Sequence, residues 1–223
     1  MGYLDELKRR ADEARERQGV DIVALQRNAL LTDSACQTAF RYLSTLARQL
    51  DVLRPASRGV FRFDSEATFS QLRLGNFRVD SRLKRLRDAE VFDHVVLGFE
   101  LKSGRKVTMA KDFAPAIERL EARLRQCGVA YESDVVRDPA TGKFEEMRFV
   151  FVADLRGSVR LTPDHDNARI HFQVVNLEGF ETLTVSFPAF EVGSARLDEL
   201  ARWLVGEPHR FLDGGHDPRV VEA

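Results

Sequence analysis

Hydrophobic residues in the first fifty positions recur at three- and four-residue spacing, and from residue 59 onward they recur at every second residue. Over residues 3–18, Leu4, Leu7, Ala11, Ala14 and Gln18 mark one side of a predicted helix, and almost every other position is charged. Asp5–Arg9, Glu6–Arg10 and Glu13–Arg17 set an acid four residues before a base, a spacing that contributes ~0.2–0.5 kcal/mol per pair on a helix. Gly19 offers a stop and Asp21 a fresh N-cap. A second helix is therefore expected over residues 21–50, with the stripe Ile22, Leu25, Ala29, Thr32, Cys36, Ala39, Leu43, Leu46 and Leu50. Asp33 and Ser34 could restart it midway, but the heptad-like spacing runs through them and favours continuity. Pro55 ends it.

After Gly59 the rhythm is that of strands. Phe61 and Phe63 alternate with Arg62 and Asp64; Phe77, Val79 and Leu83 alternate with Arg78, Asp80, Arg82 and Lys84. Val95, Leu97, Phe99 and Leu101 continue the pattern, and Ser103-Gly104 is expected to turn a hairpin into residues 106–110. One helix interrupts the strands, with Asp112 as N-cap, Pro115 in its first turn, a stripe of Ile117, Leu120, Leu124 and Cys127, and Gly128 as its stop. Strands resume at 130–137, 145–153, 158–162, 168–176 and 181–187. Ser194 is expected to cap a short last helix carrying Leu197, Leu200, Ala201 and Leu204. The pattern predicts an α+β fold: an N-terminal helical hairpin or coiled-coil segment over residues 1–55, then a large antiparallel sheet of about eight strands over 56–212, with one inserted helix and a short C-terminal helix. Residues 213–223, with Gly214, Gly215 and Pro218, are expected to form a loose tail.

Charge narrows the partners. Lys and Arg number 34 against 35 Asp and Glu, a formal charge of -1, which removes the global basic excess on which a nucleic-acid binder relies. Cys36 and Cys127 are the 2 cysteines, both on helical stripes, so a reducing compartment is expected rather than a disulfide framework. The start of the chain turns charged at once and no apolar run approaches the ~20 residues of a membrane span, so the reading is a cytoplasmic protein without membrane insertion.

No reaction is written in the motifs. Gly-x-Ser-x-Gly, Cys-x-x-Cys, Gly-x-Gly-x-x-Gly and a Walker lysine loop are all missing, and no cofactor is expected. Asp164, His165, Asp166 and His171 are metal-ligand types, but Pro163-Asp164-His165-Asp166-Asn167 already reads as a turn and no metal is assigned. The basic row Arg78, Arg82 and Lys84, near Arg73, Arg85 and Arg87, shares an outward parity that could meet an anionic ligand; pairing with neighbouring acids and protection of a sheet edge explain it as simply. Strand parity also turns Arg148, Arg160, His171, Gln173, Thr184 and Ser186 outward, the mixture of a polar pocket or of an ordinary solvated sheet face.

The expected role is a non-enzymatic binding or scaffold protein with an unidentified protein partner. Its expected homodimer forms through the narrow seam of Leu4, Leu7, Ala11, Ala14 and Leu25. The alternative is a sensor of a small anionic ligand or nucleotide, using Arg78, Arg82, Lys84, Arg148, Arg160 and His171 on the outward sheet face. An enzyme whose acid–base site carries no local motif ranks third.

Overall fold

The computed structural model describes residues 2–63 and 67–222, leaving aside the side chains of residues 14–21 and 222; Asp64 and the Ala14 side chain, both invoked above, lie outside the described residues. The fold is α+β, built from a long N-terminal helix and three antiparallel sheets.

Helix α1 is continuous over Tyr3–Leu53, 51 residues, so the helical hairpin expected from a break at Gly19 does not form. A single interior glycine costs a helix only about 1 kcal/mol, too little to end one whose hydrogen bonding continues on both sides. Arg54, in the left-handed conformation with φ 46°, ends it just before Pro55. From Thr32 to Leu50 the helix buries Thr32, Ala35, Cys36, Ala39, Leu43, Ala47 and Leu50. Four of these are alanine or cysteine, and small side chains let the helix axis lie close against a sheet.

That sheet has six strands: β3 (Arg73–Leu86), β4 (Ala89–Lys102), β8 (Leu155–Asp164), β9 (Arg169–Val175), β10 (Glu181–Pro188) and β11 (His216–Glu222), in the order β11-β10-β9-β8-β4-β3. Phe77, Val95, Leu97, Phe99, Leu101, Val159, Leu161, Ile170, Phe172, Val174 and Val185 fill its inner face, as their parity predicts. Strands β3 and β4 form a long hairpin whose tip, Arg87-Asp88, has positive φ at both residues, the geometry of a type I′ turn. Two register shifts interrupt the hairpin, between Gly75 and Arg78 and between Arg82 and Leu83. At each, a helix carboxylate accepts a strand N–H: Phe77 N donates to Asp51 at 3.0 Å and Phe92 N to Asp33 at 2.9 Å. These contacts clamp α1 across the sheet at two points.

Between the paired strands β4 and β8 the chain leaves to build a second unit. Strands β5 (Lys106–Lys111), β6 (Tyr131–Arg137) and β7 (Phe144–Val152) make a three-stranded sheet in the order β5-β7-β6, with α2 (Ala114–Gln126) supplying Leu120 and Leu124 to its core. The expected hairpin at Ser103-Gly104 is therefore a crossing between sheets, since β5 pairs with β7 and not with β4. Asp154 fixes the crossing by accepting the Ser103 N–H at 2.9 Å and the Gly104 N–H at 3.1 Å. A third, two-stranded sheet pairs β1 (Val60–Arg62) with β2 (Thr68–Ser70). In place of a single sheet of about eight strands, the described residues form eleven strands in three sheets, the largest of six. Phe63 stitches the units together, with ring centroids 5.2 Å from Phe151 and 4.9 Å from Phe180.

Helix α3 (Ser194–Leu204) buries Leu197, Leu200, Trp203 and Leu204 beside α1. Neither Asp112 nor Ser194 caps as expected; Phe113 and Gly193 take those positions, without a side-chain cap bond. The expected loose tail is strand β11, paired along β10 from Ser186↔His216 to Glu181↔Glu222. The backbone of β10 would otherwise present an open edge, and edge hydrogen bonds draw in even a short segment.

Candidate functional site

Residues paired across an antiparallel sheet share a face, so the ladders fix what the outer surface presents. One row runs Asp80–Val96–Arg160–Gln173–Thr184–Arg219, and beside it lies Thr162–His171–Ser186–His216. On strands β8 to β11 these residues line a groove of about 360 Å³, with Thr162, His171, Gln173, Thr184, His216 and Arg219 among its walls. Ser186 is only 6% exposed and accepts a hydrogen bond from Arg169 Nη2 at 2.9 Å. His171 Nε2 stands 4.0 Å from Asp164 Oδ2. Burial alone would raise the Asp164 carboxyl; hydrogen bonds from Asn167 and the nearby His171 hold it below the usual range.

The structure divides the predicted ligand set. Arg160 and His171 fall on adjacent strands of one face, but Arg78 and Arg82 lie on the edge strand β3, roughly 14 Å from β9 at ordinary strand spacing. Arg148 belongs to the three-stranded sheet, where it faces Asp134 and Ala110 and bonds Glu146 at 3.0 Å. Lys84 lies 3.5 Å from Asp93, whose carboxyl is lowered first by its hydrogen bond with His94 and also by Lys84. The basic row is thus an edge lined with charge, not a cluster focused on a point.

His165 does not join His171. It is 4% exposed, turned into the body beneath α1. Its Nε2 meets the Phe92 carbonyl at 2.8 Å, and because a carbonyl only accepts, that nitrogen carries the hydrogen; Nδ1 meets Thr32 Oγ1 at 2.6 Å. No group of three His, Cys, Asp or Glu side chains is placed to hold a metal ion among the described residues. Burial, with Asp33 nearby, pushes the Cys36 thiol up to about 12, and burial does the same to Cys127 against the opposing Arg123.

A larger hollow of about 700 Å³ lies at the end of α1, where Arg54, Arg73 and Lys102 gather beside Asp51 and Asn76. Cations there complement the helix C-terminal carbonyls, and Arg73 Nη1 does so directly by donating to Arg54 O at 3.4 Å.

The other distinctive surface is α1 itself. Asn28 Nδ2 of α1 donates to Asp166 O at 2.6 Å, and the stretch of α1 before it, residues 3–27, is about 37 Å long at 1.5 Å per residue. Leu4 is 81% exposed, Leu7 45%, Ile22 52% and Val23 65%. Ala11 is exposed as well, and Leu25 is half-buried. Of the seam named from the sequence, Leu4, Leu7 and Ala11 are thus exposed, while Leu25 is not. No described helix is long and apolar enough to cross a membrane.

In comparisons with protein-family models, curated proteins and solved structures, nothing matched this chain.

Two surfaces are consequently open to a partner: the N-terminal seam and the polar groove. The groove residues His216, Asp217 and Arg219 were missed in the sequence because they sit in the segment read as a tail. Thr32 was the readable sign of the buried His165, being a hydroxyl on an otherwise apolar stripe.

Proposed function

We propose that this chain is a non-enzymatic binding or scaffold protein that docks through the N-terminal stretch of α1. One observation carries the reading: this stretch of amphipathic α1 leaves Leu4, Leu7 and Ile22 exposed along one side. An isolated helix of this length is marginal in water, and each large apolar side chain it exposes is worth roughly 1.5–3 kcal/mol if fully buried. A partner helix laid along the seam would supply that burial. A second copy of the chain and a different protein both fit the exposed face, and the charges beside it discriminate between them. The buried thiols of Cys36 and Cys127 support a reducing, cytoplasmic setting.

The test is photocrosslinking in the native cell, with a photoreactive residue at position 7 on the seam or at position 9 on the opposite side. Adducts are expected from position 7 and not from position 9, and an adduct of twice the chain mass would identify self-association. Equal patterns from both positions would remove the docking role.

A second reading has its own observation: His171, His216 and Arg219 share one groove. It makes that groove a site for a small anion. Thermal-shift titration with inorganic phosphate and nucleotides tests it, and a melting temperature unmoved at millimolar ligand rejects it.

A further inference from the structure

The charges flanking the seam specify the partner's chemistry, an inference that rests on the docking role of α1. With Leu4 and Ala11 at the a positions of a heptad and Leu7 at d, Lys8 occupies e and Arg10 occupies g. The sequence repeats this seven residues on, with Arg15 at e and Arg17 at g. Acids dominate the other positions, with Asp5 and Asp12 at b, Glu6 and Glu13 at c and Glu16 at f, while Arg9 also occupies f and Asp21 falls at d. The described ion pairs follow the same segregation, Arg10 to Glu6 at 2.6 Å and Arg9 to Glu13 at 3.7 Å, drawn along the helix and away from the seam.

In a two-stranded coiled coil the e and g residues of one helix face those of the other. A parallel pair of identical chains would set Arg10 opposite Arg15; an antiparallel pair would set e against e and g against g. Contacts among Lys8, Arg10, Arg15 and Arg17 join two cations, well inside the ~8 Å screening length at physiological salt, while Tyr3, Ile22 and Ala24 at the outer e and g positions are uncharged. Charge complementarity therefore selects against a second copy. We propose that residues 3–25 of α1 dock an amphipathic helix of another protein whose seam is flanked by Glu or Asp. An anionic membrane surface would also meet the flanking cations, but Leu4, Leu7 and Ala11 make a narrow, shallow seam suited to helix packing and too slight for insertion among acyl chains.

The experiment uses the full chain and two synthetic helical peptides of about four heptads, with Leu at every a and d position and either Glu or Lys at every e and g position. Fluorescence anisotropy should show the Glu peptide binding at least about tenfold more tightly than the Lys peptide at low salt, with the gap narrowing as salt is added. Replacing Lys8→Glu, Arg10→Glu, Arg15→Glu and Arg17→Glu together should invert the preference, and Leu7→Asp should abolish both interactions. Leu7, Lys8 and Arg10 are exposed, and circular dichroism of the variants should be unchanged. Equal binding of the two peptides, or an unmoved preference after charge reversal, overturns the acidic partner while leaving the docking role of α1 intact. Binding of neither peptide, together with a light-scattering dimer that Leu7→Asp dissolves, overturns it in favour of a second copy. Binding of neither peptide but co-sedimentation with vesicles containing phosphatidylserine overturns it in favour of a membrane. A chain that stays monomeric and binds neither peptides nor vesicles removes the docking role itself.

Discussion

At the scale of single residues, the docking of α1 depends on polar contacts that hydrophobic pattern does not announce. Asp33 and Asp51 sit about 27 Å apart along the helix, and each accepts a backbone N–H beside a break in the β3–β4 ladder. A register shift leaves a strand N–H without its cross-strand partner, and an orphaned, partly buried donor costs about 1–3 kcal/mol. Asp33→Ala should therefore lower stability by about 1–3 kcal/mol in urea denaturation, and Asp33→Asn, which keeps an acceptor oxygen, should restore most of it. A midpoint unmoved by Asp33→Ala would show that the contact does not hold the helix. Cys36, 0% exposed, makes a different prediction. Its thiol is raised from 9.0 to about 12 in the folded chain, mainly by burial. Folding thus favours the protonated form, and that contribution is complete below the unfolded value near 9.0 and lost as pH rises toward about 12. Cys36→Ala should flatten the decline in melting temperature above pH 9.0, and the native chain should resist a thiol reagent under mildly alkaline conditions.

At the scale of elements, the exposed and packed parts of α1 separate cleanly in their contribution to folding. Among the described residues, the first buried residue of α1 is Thr32. Removing residues 1–13 should shift the melting temperature by no more than about 2 °C, because residues 2–13 are all exposed. Removing residues 1–36 deletes Thr32, Asp33, Ala35 and Cys36, takes from His165 Nδ1 its Thr32 partner and should leave a chain that does not fold cooperatively. Scanning calorimetry on both truncations distinguishes them. This division was partly legible in the sequence. Period 3.6 giving way to period 2 near residue 59 matches a helix ending at Leu53 and a first strand at Val60. Parity also gave the face of Arg160, His171, Gln173 and Thr184, because alternation is local geometry. Partner choice is not local. Nothing in the pattern of residues 106–110 says that they leave β4 for β7, so Arg148 was grouped with a sheet it does not belong to. Val220 and Val221 are too few to announce a strand, and β11 exists because β10 offers it an edge.

At the scale of the whole molecule, the question is whether the three-stranded unit inserted between β4 and β8 folds by itself. Its inner residues Met109, Leu124, Phe149 and Phe151 belong to one contiguous apolar cluster with Leu43 of α1, Leu97 of β4 and Phe187 of β10. The junction is aromatic: Phe61 and Phe63 reach across from β1 toward Phe151 and Phe180, and Arg123 of α2 donates to Arg62 O at 2.8 Å while lying 5.1 Å over the Phe180 ring. A three-stranded sheet with one helix buries too little surface to be stable alone, so the junction is where the unit gains its stability. The described body should therefore unfold in a single transition. Trp203, on α3, reports the six-stranded body by fluorescence, and hydrogen exchange of the β6 and β7 amides reports the inserted unit. Coincident urea midpoints are expected from the two, with Phe151→Ala lowering both together by about 3–5 kcal/mol of stability. If Phe151→Ala instead loosened the β6 and β7 amides and left the Trp203 transition in place, the two sheets would be separate folding units and the shared core only a contact between them.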